Sequence, residues 1–261
     1  MRTIFIFILS IFLSFTICQC DADYIEIDDY CFYENDLNII QKMIDNSYNS
    51  NIDLGCEEWD NYCGSPNPYM DRNDSWFWVT VDGQSFESPT FQNENGIVEP
   101  LELGLQEWEN GRLKGIMCGA YIYCQLSGPI PEEINQLTEL EILRLEGNYL
   151  NGFIPETVCE LGTTYDDYLM FDLSGNKLCP PYPDCITADD FWNQQDESEC
   201  IEIGDINSDL NVNIVDIIIL ITFILDSTDL GYQTFVVSDI NSDDNIDVLD
   251  VVEIVNLILI F

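Results

Sequence analysis

The sequence predicts an α+β multidomain chain: a short solenoid of about three stacked coils between disulfide-bonded caps, with a small all-α module behind it. Three observations point there. Apolar and turn residues recur at a fixed offset (Leu126 and Leu150, Gly128 and Gly152, Ile130 and Ile154, Pro131 and Pro155), cysteines gather on either side of them, and the acidic stretch opening at Asp205 is repeated from Asp239. A fixed period marks units that cannot bury their own apolar edge and must stack on a neighbour. The boundaries that follow are 1–20 for a signal peptide, 21–100 for an N-terminal cap region with disulfides, 101–186 for the coils, 187–200 for a linker and C-terminal cap, and 201–261 for the helical module.

Taken in order, residues 1–17 carry Arg2 as their one charge ahead of an apolar run from Ile4 to Leu13 and on to Ile17. That is the pattern of a secretory signal. The run is shorter than the ~20 apolar residues a membrane helix needs, which predicts cleavage near residues 18–22 and a secreted, cell-surface-associated protein with no transmembrane span after signal removal. Retention as a signal anchor is the runner-up. A lipid anchor on Cys20 is disfavoured by Gln19, which is not the small residue that processing needs.

The chain has 11 cysteines, and in an exported protein they read as disulfides. The absence of histidine excludes mixed Cys/His zinc sites. From Cys31 onward the number of cysteines is odd, so one thiol is left over unless Cys20 stays in the mature protein. Cys159, Cys179, Cys185 and Cys200 surround the last coil and can pair three ways, closing its open end. Forty-nine acids against seven bases give a net charge of -42, which excludes nucleic acid and anionic membrane as partners and favours cations. A hydrophobic content of 46% predicts a folded chain.

Within 21–100, residues 36–48 place Leu37, Ile40, Met43 and Ile44 on one face of a short capping helix that Asp36 begins as its cap. Residues 55–72 read as a loop pinned by cysteine bridges, and 76–81 as a strand. Trp59, Trp76, Trp78 and Trp108 are candidates for a sugar-stacking platform, but such a concentration of indoles is more often the core of a small domain. Residues 93–102 imitate part of a calcium loop through Gly96 and Glu102. Phe91 stands where an oxygen ligand is required, so no metal is assigned there.

From Leu140, apolar residues fall at Leu143, Leu145, Leu150 and Ile154, with Asn148 suited to turning the chain and Gly152 and Pro155 closing the unit. The phase runs back through Ile116, Tyr121, Cys124 and Leu126, and forward through Phe171, Leu173, Asn176 and Leu178. Residues 140–155 resemble the plant-type leucine-rich repeat, L-x-x-L-x-L-x-x-N-x-L-x-G-x-I-P, at every fixed position. The resemblance covers residues 101–186 and implies a binding scaffold. Its ligand face would be the concave one, where alternate strand residues Ile122, Ile142, Arg144, Glu146, Asp172 and Ser174 point away from the core towards a protein or glycan partner.

In the last segment, oxygen donors stand at loop positions 1, 3, 5, 9 and 12 in two copies: Asp205, Asn207, Asp209, Asn213 and Asp216, then Asp239, Asn241, Asp243, Asp247 and Asp250. Asn211 and Asn245 would supply the backbone carbonyls of position 7. This spacing suits Ca2+, which takes six to eight oxygens at ~2.3–2.6 Å. Val212 and Ile246, apolar at position 8, are placed to pair the loops. Residues 201–261 resemble a type I dockerin domain with paired EF-hand-like calcium loops. The resemblance implies two bound Ca2+ ions and docking on a cohesin-like or surface receptor through Ile214, Val215, Val248 and Leu249. Those four depart from the usual hydroxyl pair, and Leu210 and Asp244 stand where the loop prefers glycine, which predicts a weaker first site.

No nucleophile motif appears, so the expected protein is a secreted, non-catalytic binding protein with calcium-dependent docking. The alternative is a component of a polysaccharide-degrading complex, joined by dockerin-cohesin assembly, with carbohydrate-binding or glycosidase activity in the N-terminal region. A glycosidase needs only two carboxylates, yet residues 21–100 are too few for a typical glycosidase fold. A third reading makes the terminal module an intramolecular cap or sorting tag.

Overall fold

The computed structural model describes residues 20–57, 59–75, 77–87, 91–119, 121–186, 194–226 and 230–260. The signal segment up to residue 19, Trp76 and residues 187–193 of the linker lie outside them. The described chain is a mixed α/β protein with four α-helices, several sheets and five disulfides.

It opens with an antiparallel hairpin of β1 (Tyr24–Ile27) and β2 (Tyr30–Tyr33), tied by Cys20–Cys31, and continues into α1 (Glu34–Asn49). Helix α1 buries Leu37, Ile40, Met43 and Ile44 as the spacing requires. Asp36, expected as its cap, sits inside the first turn instead. Its carboxylate is fully buried and accepts from Arg112 Nε (2.8 Å), Arg112 Nη2 (3.1 Å) and the Leu113 amide (3.0 Å). The guanidinium also lies 4.3 Å from the centre of the Tyr33 ring. A buried carboxylate is tolerable because every oxygen is engaged and the charge is matched, and the pair clamps the helix to the sheet behind it.

That sheet has six strands: β3 (Trp78–Val81), β4 (Gln84–Glu87), β5 (Leu105–Glu109), β6 (Arg112–Met117), β8 (Ile142–Arg144) and β10 (Phe171–Asp172), in the order β10-β8-β6-β5-β3-β4. A second sheet of three short parallel strands, β7 (Ser127–Gly128), β9 (Tyr149–Phe153) and β11 (Lys177–Cys179), runs in the order β11-β9-β7. In the first sheet β6, β8 and β10 are parallel, with Ile116, Leu143 and Phe171 in one row and Met117, Arg144 and Asp172 in the next. Each return of the chain therefore adds one strand to both sheets. Between them lies a continuous core from Phe32 to Ile186, so the cap region and the coils share one interior. Trp108 belongs to that interior, edge-on to Phe32 at 4.9 Å, whereas Trp59 and Trp78 are exposed. Trp59, Trp78 and Trp108 thus form no common platform, and Trp76 lies outside the described residues.

Where the chain turns from one sheet to the other, backbone groups are stripped of strand partners inside the core. Asn148 fills the gap: its Oδ1 accepts from Leu126 N (3.0 Å) while Nδ2 donates to Cys118 O (2.6 Å) and Leu145 O (2.9 Å). Asn176 repeats this one coil on, accepting from Leu150 N (3.0 Å) and donating to Leu145 O and Leu173 O (both 2.9 Å). The last rung is Gln195, whose Oε1 accepts from Leu178 N (3.3 Å) and whose Nε2 donates to Leu173 O (2.8 Å). Gln195 reaches back from within the linker segment and pairs in parallel with Asn176. Cys159–Cys185 and Cys179–Cys200 pin this closing end, while Cys56–Cys63 and Cys118–Cys124 pin the opening one.

Replacing Asn148 with Ala leaves one amide and two carbonyls of the interior unpaired, at roughly 1–3 kcal/mol each. Denaturant unfolding of Asn148→Ala should show a loss of about 3 kcal/mol or more, against a few tenths for Asn49→Ala at the exposed end of α1.

Candidate functional site

The two repeated loops have the same internal geometry. In the first, Asp216 at the start of α2 (Ile214–Asp226) is fully buried and turns back into the loop, accepting from Ile206 N (2.9 Å), Asn207 N (3.1 Å) and Asn213 N (2.9 Å). Asp205, also buried, accepts from Asp209 N (3.1 Å) and Leu210 N (2.8 Å). In the second, Asp250 of α4 (Val248–Ile260) accepts from Ile240 N and Asp247 N, and Asp239 accepts from Asp243 N and Asp244 N. The side chains of Asn207 and Asn241 cap the turns at Asp209 and Asp243, and those of Asn213 and Asp247 cap the first turns of α2 and α4. The Asn211 carbonyl accepts from Asn213 Nδ2, and the Asn245 amide donates to Asp243 Oδ1.

Position 6 is left-handed in both copies, with φ of 67° at Leu210 and 62° at Asp244. That conformation favours glycine and suits aspartate better than a branched aliphatic residue. Leu210 is moreover 78% exposed, so nothing packs there to offset the strain. Val212 and Ile246 both pack on the small core of Ile206, Leu220 and Ile254 that joins α2 to α4. Among the described residues no group of three or more His, Cys, Asp or Glu side chains is drawn together as metal ligands. What the loops offer is a donor set made of oxygen alone, carboxylate for the larger part with amide and carbonyl for the rest, and its buried carboxylates have no base in the sequence after Lys177.

The predicted docking residues Ile214, Val215, Val248 and Leu249 are all exposed. They begin two longer stripes that sequence reading left out: Ile214, Ile218, Ile221 and Leu225 on α2, and Val248, Val252, Val255 and Leu259 on α4. The steps of four, three and four residues are identical, and they place each set along one face of its helix. Both helices are apolar nearly all round, a signal that one face serves the core and another must be covered or left to water. Among the described residues no helix is long and apolar enough to cross a membrane.

The connector between the loops holds α3 (Tyr232–Ser238), which the sequence reading did not foresee. It docks on β9. Gln233 pairs with the backbone of Phe153 as a strand would, accepting from its N–H (2.6 Å) and donating to its carbonyl (3.1 Å). Tyr232 Oη donates to Ile154 O (3.0 Å), and its amide donates to the Glu132 carboxylate. The close approach depends on Gly152, where a Cβ would collide with the Gln233 amide and where φ is 78°. Val237 packs with Phe153 and the Cys179–Cys200 bridge. The signal lay in a short apolar run with a polar anchor, too brief to display a period.

On the concave sheet face, Ile142, Arg144 and Asp172 lie on β8 and β10, with Glu146 and Ser174 just beyond those strands. Ile122 is not among them. It sits in the loop closed by Cys118–Cys124, because β6 ends at Met117 and the disulfide loop intervenes; the repeat's offset places it beside Glu146, where Gly119 lies instead, and Met117 pairs with Arg144. Arg144 pairs with Glu146, whose carboxyl is buried against Gly119 and raised from its ordinary range mainly by that burial. Arg144 Nε and Glu146 Oε2 are buried without hydrogen-bond partners among the described residues. Ser174 N donates to Asp172 Oδ1 (2.9 Å), so this face is polar and satisfied along itself at Asp172 but not at Arg144 and Glu146.

Parallel strands added one per turn to two sheets, stitched by an amide ladder, define the architecture of a repeat protein. The family model for the Leucine Rich Repeat matches residues 139–161, which span β8, β9 and the Asn148 rung. No curated protein matches the chain. The repeat match points to a protein-binding role and does not reach the two loops.

The bidentate contact of Gln233 yields a direct expectation. Gln233→Ala should speed hydrogen exchange at the Phe153 amide by one to two orders of magnitude, given roughly 1–3 kcal/mol for each group left unpaired. The Leu150 amide, held by Asn176, should exchange as before.

Proposed function

We propose that the protein is a secreted, non-catalytic binding protein in which the repeat face engages a partner and the terminal module binds two Ca2+ ions and docks on a receptor. Secretion is supported by the five disulfides and by the apolar leader. With Cys20 bridged to Cys31, processing would fall before Cys20 and not after residue 20, and every cysteine from Cys20 onward is then paired.

One observation carries the calcium reading: Asp205 and Asp216, and again Asp239 and Asp250, are buried carboxylates in one segment that contains no lysine, arginine or histidine. Buried negative charge without a cation is costly, and a hard divalent ion with oxygen ligands is the partner these donors fit. Asp205, Asn207, Asp209, Asn213 and Asp216 would hold the first ion with the Asn211 carbonyl; Asp239, Asn241, Asp243, Asp247 and Asp250 would hold the second with that of Asn245. Ion binding would add its free energy to folding of the module. The docking face would then be the twin stripes of α2 and α4, their apolar character calling for a protein receptor with a complementary apolar surface, whether cohesin-like or of another kind.

Calorimetric titration of the full chain with Ca2+ should give two binding events, the weaker removed by Asp216→Ala and the tighter by Asp250→Ala. Each site held at a hundredfold over its Kd should add about 2.7 kcal/mol of stability, so chelation should lower the melting temperature. A titration without heat, together with a melting curve indifferent to the chelator, would overturn the assignment. In capture experiments, Ile218→Asp combined with Val252→Asp should abolish receptor binding while leaving both calcium events in place.

A further inference from the structure

The opening end of the coil stack holds a feature that neither the repeats nor the calcium loops use. Two short loops, one closed by Cys56–Cys63 and one by Cys118–Cys124, meet around a cavity of about 270 Å3. Tyr62, Tyr69, Phe77 and Tyr123 supply rings to its wall, and Asn67 and Gln125 supply amides. The rings of Tyr62 and Tyr69 lie 4.6 Å apart, and Tyr69 is fixed by donating its hydroxyl to Asp74 O (2.7 Å). Tyr123 is 62% exposed.

The backbone around Tyr123 is held in a conformation it would not choose. Tyr123 and Gln125 have φ of 56° and 55°, left-handed values that glycine would adopt without strain. The conformation is enforced from outside: Asn67 Nδ2 donates to Tyr123 O (2.8 Å), Asn67 N donates to Cys124 O (2.8 Å), and Gln125 Oε1 accepts from Gly64 N (2.9 Å). Left-handed backbone at non-glycine residues recurs in turns along the chain, and at these two it lies beside a cavity, where strain held from outside accompanies binding sites. The Gln125 amide nitrogen makes no hydrogen bond among the described residues and remains available to a ligand.

We propose that this cavity is a binding subsite for one neutral sugar ring at the end of a glycan. Its volume lies just below the ~300 Å3 at which small-molecule pockets begin, room for one ring and too little for a peptide segment with side chains. The apolar C–H face of a pyranose lies against aromatic rings, and a hydroxyl of the ring accepts from the Gln125 amide nitrogen, while the buried Asn67 amide is spent on Tyr123 O and Tyr69 N. The protein's net charge of -42 repels acidic sugars and leaves neutral ones. Because both loops are bridged, the rings are ordered before the ligand arrives, which lowers the entropy lost on binding. The inference does not depend on the calcium and docking reading, and the two fail separately.

The test is calorimetry of the full chain against neutral oligosaccharides ending in glucose or galactose and against their sialylated forms. It is paired with saturation-transfer NMR that reads contact between sugar protons and the tyrosine rings of the unmodified protein. At least one neutral sugar should bind, with saturation arising from aromatic protons. Tyr123→Asn keeps a residue tolerant of left-handed backbone while removing the ring, and should weaken binding tenfold or more. Gln125→Gly should weaken it severalfold, and Tyr168→Ser at the far end of the coils should leave it unchanged. Failure of every neutral sugar to bind, preference for the sialylated form, or wild-type affinity in both cavity variants would each overturn the proposal. Should Tyr123→Asn melt early, the aromatic saturation signal of the unmodified protein decides the question.

Discussion

Three amide side chains, Asn148, Asn176 and Gln195, each take one backbone N–H and at least one carbonyl out of a region where water cannot reach. A chain that turns from one parallel sheet to another inside a core strands such groups at every passage, and a buried unpaired peptide group is among the most destabilising features a fold can contain. An amide donates two hydrogens from one atom and accepts at another, so one such side chain per coil serves the stranded N–H and the carbonyls together. The rest of the architecture conforms to it: leucines fill the space between the sheets, and Asp36 with Arg112 closes the side where no further coil can stack.

Legibility in the sequence followed how local each constraint is. The row of Leu143 and Phe171 and the roles of Asn148 and Asn176 could be read because each sits at a fixed distance from a leucine in its own coil, whereas the same step backwards sets Ile116 opposite Leu140 and Tyr121 opposite Leu145, and the structure pairs Ile116 with Leu143 and leaves Tyr121 exposed. Gln195 could not, because it reaches the ladder from within the linker segment and differs in type from the residues it succeeds. Ile122 was misplaced for a related reason: counting back by a constant period ignores a disulfide loop that lengthens the first coil. Asp36 looked like a cap because aspartate before an apolar run commonly is one. A partner 76 residues away, Arg112, changed its role, and no local pattern announces such a partner.

The same distinction explains the terminal module. The loops were legible as oxygen donors at alternate positions, and the hydrogen bonds drawn to Asp205 and Asp216, and to Asp239 and Asp250, follow that order. The outward stripes were partly legible through their first residues. Their extent was hidden because helices that are apolar on every side give no moment to read. The cavity beside Tyr123 was illegible altogether, since it depends on two separate loops brought together by Asn67.

Duplication and its exception divide the module's surfaces between two tasks. Loop and helix recur in register, so α2 and α4 present equivalent stripes, whereas α3 belongs to the connector and has no second copy. It is α3 that turns its apolar side, through Val237 and Tyr232, onto Phe153 and the Cys179–Cys200 bridge. The unrepeated element thus faces inward and leaves both repeated ones outward. A module seated only by a mobile tether would not need Gly152 cleared of a side chain to admit Gln233. Seated in this way, the module meets the coils where the Gln233 side chain takes both backbone groups of Phe153, on the strand that β11 joins in parallel.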